Sequence, residues 1–306
     1  MATVIPVTAE YGSQKIATPK NFLNVNITGS AVTVNPDGTL TIAIPAPPPA
    51  VAVSGLYRNL VLQNSVANPD SAVDVAVDEV TLRDSTSGLV YLAQNVSVST
   101  NLAATVGAPG ALDTGVEAAN TWYHVWLIYN GTTVAALFSV SLTAPVLPSG
   151  YTFKARVGSV RNDSGSNLVR MAQLDNFVQV PEVVIFGNKN AAVADTFEIL
   201  SGAELTAFRS VVPPTARICS GTFGSQQTGG SQMSVSPCDS SGAVSAVGAG
   251  VVHCVGAVGG AAHAGFICST SFAIMVRGGP SAYNMQWKAR VTSGLTNKVA
   301  ISGFTL

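Results

Sequence analysis

Apolar and polar residues alternate in a short region near the N-terminus. Val25 and Ile27 have polar neighbours, and the same pattern returns over Thr39–Ile44. The Asn-Pro-Asp-Gly sequence at 35–38 is typical of a turn, because proline presets one backbone dihedral and glycine accepts a positive φ. We therefore predict a β-hairpin unit over residues 25–44 that is apolar on one side.

The segments on either side of this hairpin have different characters. Residues 1–24 are polar and without a clear period, which fits an N-terminal attachment peptide ordered by a partner, or a disordered tail. Residues 45–54 open with Pro-Ala-Pro-Pro-Pro, which predicts a semi-rigid polyproline II linker.

Strand patterns recur beyond the linker. They cover Leu56–Leu62, Val73–Leu82 and the short Leu89–Leu92, and the apolar phase of the second changes at Asp78-Glu79, as a β-bulge would require. Residues 101–119 are rich in glycine and alanine and predict a long loop.

The clearest pattern runs over Thr121–Leu142. Trp122–Tyr129 is aromatic and β-branched, with large groups on both faces, which predicts a central strand covered on both sides. Asn130-Gly131 is the favoured sequence for a two-residue hairpin turn, after which Val134–Leu142 returns.

The remaining patterns indicate more strands and almost no helix. We predict strands at Tyr151–Val160 and Val183–Phe186, a polar turn at Asp163–Asn167, and one or two helical turns at Ala203–Phe208. The fold class is therefore all-β: the hairpin unit and spacer are followed by one or two β-sandwich or jelly-roll-like modules. We place these modules at residues 55–211 and 212–306.

An internal similarity favours two modules. Lys-Ala-Arg-Val occurs at 154–157 and again at 288–291, each time a few residues after a Pro-Ser-X-Tyr sequence. The similarity predicts that the second module ends in a related strand. Lys154 and Arg156 would share one strand face, either solvated or between subunits.

Residues 240–276 contain no Asp, Glu, Lys or Arg, and their length would suit a transmembrane segment. Repeated glycines and the absence of leucine favour strands and close backbone packing instead. We predict no membrane span, and expect a stretch buried between subunits or a loop-rich tip of an assembly.

Composition narrows the functional classes. Only 10% of residues are charged although 47% are hydrophobic, so neutral polar side chains must cover the surface, as in β-rich subunits that assemble. The net charge of −1 argues against nucleic-acid binding. Because Met1–Lys20 does not resemble a signal peptide, we expect assembly in a host cytoplasm and release by lysis.

Candidate chemical groups are sparse. The histidines and cysteines are His124, His253, His263, Cys219, Cys238, Cys254 and Cys268. Their spacings match no zinc or redox motif, so we expect reduced thiols, or one or two disulfides formed after release, and a hydrogen-bonded core histidine at 124.

The acidic residues form no recognisable pair. Neighbouring Asp78 and Glu79 would diverge on a strand, whereas Asp163 and Asp175 lie in or near turns. We predict no catalytic residue, no cofactor and no metal.

Part of the chain, around residues 121–167, resembles a segment of bacteriophage and prophage virion proteins. The resemblance is carried by Trp122–Asn130, Val134–Leu137, Leu147–Gly158 and Val160–Asp163. It implies a structural protein of the tail-fibre or head-decoration type, and it brings no catalytic residues.

These observations together predict a structural component exposed on a phage particle: a fibre, spike or capsid decoration. Its N-terminal region would bind capsid or tail proteins, and analogy with fibres suggests a homotrimer. The alternative is an adhesin for host-surface carbohydrate, although Trp122, Trp126 and Trp287 lie in strand contexts that favour core packing. A polysaccharide depolymerase is the least supported class, since no suitable carboxylate pair is recognisable.

Overall fold

The computed structural model describes residues 9–11, 14–16, 31–34, 40–43, 55–189, 192, 198–227, 231–239, 252–256, 266–275, 283–289 and 295–306. The chain divides into two compact units, residues 1–50 and 51–306. This division falls inside the predicted Pro-rich linker, residues 45–54, which lies outside the described residues.

Strands dominate, and they confirm the predicted all-β class; whether the strands form a sandwich or a jelly roll stays a prediction. The elements in chain order are β1 (Ala9–Tyr11), β2 (Gln14–Ile16), β3 (Ala31–Val34), β4 (Leu40–Ala43), β5 (Tyr57–Arg58), β6 (Val61–Asn64), β7 (Ala72–Asp84), β8 (Val90–Asn101), β9 (Thr121–Tyr129), β10 (Val134–Ser139), β11 (Phe153–Asn162), β12 (Ala172–Leu174), β13 (Phe177–Lys189), β14 (Glu198–Ile199), α1 (Gly202–Val211), β15 (Ile218–Gln227), β16 (Ser231–Asp239), β17 (Val252–Gly256), β18 (Phe266–Met275), β19 (Tyr283–Ala289) and β20 (Leu295–Thr305).

The described strands of the N-terminal unit pair only as two hairpins. β3 pairs with β4 around the predicted turn, from Val34 opposite Leu40 to Ala31 opposite Ala43. β1 pairs with β2 within the stretch for which we predicted only an attachment peptide. The predicted alternation at Val25 and Ile27 lies outside the described residues.

Most strands of the larger unit join one twelve-stranded antiparallel sheet. Its order is β10-β9-β11-β7-β6-β12-β13-β20-β15-β18, with β5 and β8 also paired to β7. A four-stranded sheet, β14-β19-β16-β17, supplies Tyr283, Met285 and Trp287 to the same buried core.

The boundary that we predicted at residue 212 falls within this larger unit. The last strand, β20, pairs with β13 on one side and β15 on the other, so the segments 55–211 and 212–306 share one sheet. The two similar segments also occupy different sheets, because β11 belongs to the large sheet and β19 to the small one.

The predicted hairpin of β9 and β10 is confirmed, but the prediction of a two-residue turn is wrong. Tyr129 pairs with Val134, which leaves a four-residue loop at 130–133. The Asn130 Oδ1 atom accepts hydrogen bonds from the amides of Thr132 and Thr133, and Gly131 adopts a φ of 96°. The side chain of Asn130 thus closes a longer loop. β9 lies between β10 and β11 and is buried on both faces over most of its length, as predicted.

The apolar phase of β7 changes at Asp78, but no bulge causes the change. The register with β8 is continuous, from Ala72 opposite Asn101 to Arg83 opposite Val90. Val77 and Val80 are buried in β7, and Val96 and Ala93 are buried opposite them in β8, so the side-chain phase changes at the same row in both strands. Asn59, between β5 and β6, and Asn95, on β8, have φ of 55° and 52°.

Other predicted elements are present in the structure but differ in length from the prediction. β8 is far longer than the predicted Leu89–Leu92, and α1 extends the predicted 203–208 in both directions. The Asp163–Asn167 turn is confirmed: the Asp163 amide donates to the Asn167 carbonyl at 2.9 Å. Within the charge-free stretch, the described segments β17 and β18 are strands, and no described helix is long and apolar enough to cross a membrane.

Candidate functional site: the Arg161 cleft

A cleft of about 220 Å³ opens between β9, β11, β13, β20 and the C-terminal end of α1. We call it the Arg161 cleft. Its apolar lining is Trp122, Val169, Met171, Val180, Val183, Val211 and Phe304, and its polar lining is Asn120, Ser159, Arg161, Asp163, Ser164 and Ser210. An apolar floor with a few polar groups is the usual composition of a small-molecule site.

Trp122 is held in this cleft from two directions. Its indole Nε1–H donates to the Arg209 carbonyl at 2.9 Å, in the last turn of α1, where helix carbonyls lack intrahelical partners. Its ring also meets Phe304 edge to face, with centroids 6.2 Å apart. The indole is therefore a rigid wall of the cleft.

Arg161 is the direct cross-strand partner of Trp122. Its guanidinium lies over the indole at 6.0 Å from the ring centroid, within cation–π range. The Arg161 Nε–H is buried and has no hydrogen-bond acceptor in the described part of the chain. Burial lowers the pKa of Arg161, although Tyr283 and Asp163 act in the opposite direction. Arginine nonetheless stays charged.

Asp163 is the acidic residue among the described lining residues, and its carboxylate forms hydrogen bonds within its own turn. Its Oδ1 atom accepts hydrogen bonds from the amides of Gly165 at 2.7 Å and Asn167 at 3.0 Å. Asn120 joins this rim because its amide donates to the Asp163 carbonyl at 2.9 Å. The turn therefore fixes the rim next to Arg161 without forming an ion pair with the guanidinium.

One lining residue of the cleft, Ser159, forms a contact with a histidine. The Nδ1 atom of His124 lies 2.8 Å from the Ser159 Oγ atom, which is 3.4 Å from the Thr215 hydroxyl. Burial, with a smaller effect of Arg156, lowers the pKa of His124 to about 4. So weak a base is poorly suited to remove a serine proton near pH 7. The contact fits the predicted hydrogen-bonded core histidine.

The other two tryptophans, for which the sequence favoured core packing over carbohydrate binding, are buried. Trp126 is 5% exposed and Trp287 is fully buried, so the predicted core packing is confirmed for both. Trp122 is only partly buried and lines the cleft. Lys154 and Arg156 are half-buried, with the Lys154 ammonium 5.8 Å from the Trp126 ring centroid.

The carboxylates noted in the sequence do not converge. Asp78 accepts a hydrogen bond from Asn59, whereas Glu79 forms an ion pair with Arg58. Asp175 accepts from the Leu60 amide at 3.0 Å, on a turn away from Asp163. The predicted divergence is confirmed.

Cys219 is a free and fully buried thiol, and burial raises its pKa to about 12. The side chains of the other three cysteines, and those of His253 and His263, lie outside the described residues. Within the part of the chain that is described, no group of three His, Cys, Asp or Glu side chains could hold a metal ion.

Sequence reasoning did not identify the Arg161 cleft, although five of its lining residues lie within residues 121–167, on which the predicted resemblance depends: Trp122, Ser159, Arg161, Asp163 and Ser164. The cleft combines residues between Asn120 and Phe304. A usable signal would have been the antiparallel register that places Arg161 opposite Trp122, and this register depends on a bulge between Arg156 and Gly158.

Comparisons with known proteins add little. Neither a known protein family nor any curated protein matches the chain. Among solved structures, a Bacillus thuringiensis Cry1Da tryptic core variant aligns over 84% of this chain and 53% of its own length, so the alignment spans about half of that protein. The two share 8% identity with a TM-score of 0.20, a likeness that supports no conclusion about fold or function.

Proposed function

We propose that this chain is a structural component of a bacteriophage virion, exposed on the particle surface. In this proposal the N-terminal region binds capsid or tail proteins, and the unit 51–306 faces outward in a homotrimer. The resemblance at residues 121–167 supports the phage assignment, as do the low charge and the neutral polar surface. Host cytoplasm is the proposed place of assembly.

The observation that carries the proposal is the division of the chain at residues 50 and 51. The described strands of the smaller unit form only two-stranded hairpins, which are marginally stable alone in water. A unit of this kind gains stability by packing on another protein, as an anchor would.

An exposed apolar group on the larger unit supports self-assembly. Val61 lies opposite Leu174, which lies opposite Phe177, and these side chains are 38%, 60% and 46% exposed. Adjacent exposed apolar side chains on three strands favour contact with another protein surface.

Antibody labelling of phage particles released by the strain that encodes this chain tests the proposal. We expect labelled particles, and a variant lacking residues 1–44 should no longer copurify with them. Light scattering of the purified full chain should give three times its mass of 31.2 kDa. Particles without label would contradict the virion assignment, and a monomer would contradict the trimer.

A second candidate function, binding of host-surface carbohydrate, is favoured by the Arg161 cleft. Its rigid indole offers an apolar face to a sugar ring, and its hydroxyl and amide groups offer hydrogen bonds. One carboxylate, Asp163, is among the described lining residues, whereas glycoside hydrolysis ordinarily requires two. The cleft thus supports binding over cleavage.

Binding of the purified chain to host cells, compared with cells stripped of surface polysaccharide, tests this second function. Equal binding to both would contradict it and would leave the virion proposal unaffected.

A further inference from the structure

We infer that the Arg161 cleft binds one acidic sugar unit, a pyranose ring that carries a carboxylate, with Arg161 as the carboxylate-binding residue. This inference rests on the second proposed function and adds to it a site and a ligand class.

The unsatisfied donor on Arg161 is the first argument. A buried N–H group without an acceptor costs free energy, so the Arg161 guanidinium has hydrogen-bonding capacity that the described residues do not use. The planar guanidinium suits a carboxylate because it donates two parallel hydrogen bonds in a fixed geometry.

The charge around the site is the second argument. No described salt bridge involves Arg161, and the nearby Asp163 carboxylate already accepts two backbone hydrogen bonds through one oxygen. Tyr283, the other ionisable group that acts on Arg161, is neutral near pH 7 because burial raises its pKa to about 12. An incoming carboxylate would therefore meet the Arg161 cation, which forms no described ion pair, beside one carboxylate whose Oδ1 atom is already hydrogen-bonded.

The size and lining of the cleft are the third argument. Its 220 Å³ equals roughly seven waters of about 30 Å³ each, which is less than drug-sized ligands need and enough for one six-membered ring. Trp122 supplies an apolar wall for such a ring, and the hydroxyl groups of Ser159, Ser164 and Ser210 also line the cleft and can exchange hydrogen bonds with ring hydroxyls.

Nuclear magnetic resonance of the full chain tests the inference directly. The Trp122 indole and Arg161 Nε–H signals can be assigned from Trp122→Phe and Arg161→Gln. The probes are the methyl glycosides of glucuronic and galacturonic acid, with the methyl glycosides of glucose and galactose as uncharged counterparts. We expect at least one acid to shift both signals and to bind about tenfold or more tightly than its counterpart.

Variants at position 161 distinguish loss of the guanidinium contact with the ligand from a general loss of folding. Arg161→Gln should lose this preference for the acid. Arg161→Lys should recover part of it, because lysine restores the positive charge but not the two parallel donors of a guanidinium. Arg58→Gln is the matched control, since Arg58 is exposed and pairs with Glu79 away from the cleft; it should bind like the wild type. If the substitutions at 161 prevent folding, the wild-type titration still decides the question.

The possible failures are distinguishable. If neutral sugars shift the Trp122 signal as strongly as the acids, carbohydrate binding stands and the acidic ligand is wrong. If neither acid shifts the Arg161 Nε–H signal, the inferred site is wrong, whatever the cell-binding experiment shows. If Arg161→Gln instead dissociates the oligomer, Arg161 binds an acidic side chain of another copy and the sugar inference is overturned.

Discussion

The side-chain amide of Gln173 donates a hydrogen bond to the backbone carbonyl of Val157 at 2.8 Å. Val157 lies at the bulge between Arg156 and Gly158, where the pairing of β11 with β9 shifts register. Gln173 lies on β12, which is not paired with β11, and is 1% exposed. A buried glutamine thus satisfies a carbonyl at a break in the ladder and joins two non-adjacent strands.

Replacement of Gln173 by leucine should lower the free energy of unfolding by about 1–3 kcal/mol, because the carbonyls of Val157 and Asp175 both lose their donor. We expect the lower end of this range, since Gln173 Oε1 has no partner among the described residues and its removal is favourable. Urea unfolding measures the change. Gln94→Leu, at an exposed position of β8, is the control and should change little; equal losses in both variants would contradict the role of Gln173.

Gly158 lies near the same bulge, where a larger residue would meet neighbouring side chains. A Cβ atom there would lie 2.6 Å from the Leu62 Cδ1 atom and 2.8 Å from the Gln173 Oε1 atom. Gly158→Ala should therefore cost about 1–3 kcal/mol of stability in chemical denaturation. At Gly187 the nearest atom to an added Cβ is 3.9 Å away, so Gly187→Ala should be nearly neutral. A stable Gly158→Ala protein would show that the side chains of Leu62 and Gln173 shift easily.

His124 should make the protein less stable in mild acid. Its pKa is about 4 in the folded chain and 6.5 in its ordinary state, so between these values the unfolded chain binds a proton that the folded chain does not. Stability from this group is complete above pH 6.5 and falls as the pH is lowered, by about 3 kcal/mol at pH 4. Unfolding free energies measured from pH 7 to pH 4 should fall more steeply for the wild type than for His124→Gln. Parallel curves would contradict this assignment.

The backbone of Asn95 should tolerate glycine and reject alanine. Its φ of 52° lies in the left-handed region, which glycine adopts freely and alanine does not. Because Asn95 is exposed, little packing is lost in either variant. We expect Asn95→Ala to cost about 1 kcal/mol and Asn95→Gly to stay near the wild type in thermal unfolding. Ser97→Ala, an exposed neighbour on β8, controls for the change in side chain; a loss there as large as at Asn95 would refute the backbone explanation.

Cys219 should resist alkylation while the protein is folded. The thiolate is the reactive form, and a buried thiol with a pKa of about 12 forms almost none at pH 8. Iodoacetamide treatment followed by peptide mass spectrometry should leave the Cys219 peptide unmodified, and labelling in urea should modify it. Rapid labelling of the native chain would mean that β15 opens readily.

The local patterns of the sequence were sufficient for many of the elements. The aromatic and β-branched residues of Trp122–Tyr129 predict β9, and the large groups on both of its faces predict a central position, because both depend on the residue types within a few positions. The Asp163–Asn167 turn follows from the hydrogen-bonding capacity of one aspartate. The phase change at Asp78 is visible in the sequence because it is a change in the local order of apolar and polar residues.

Long-range pairing required the tertiary structure. The sequence by itself determined many of the strand segments and the Asp163–Asn167 turn, since these depend on side-chain periodicity and turn chemistry within a few residues. Only the tertiary structure decided that β20 joins β13 to β15, that Gln173 reaches Val157, and that Arg161 lies beside Trp122 at the end of α1. Such contacts join residues far apart in the chain, and their free energy comes from the packing of whole strands, which no local pattern encodes.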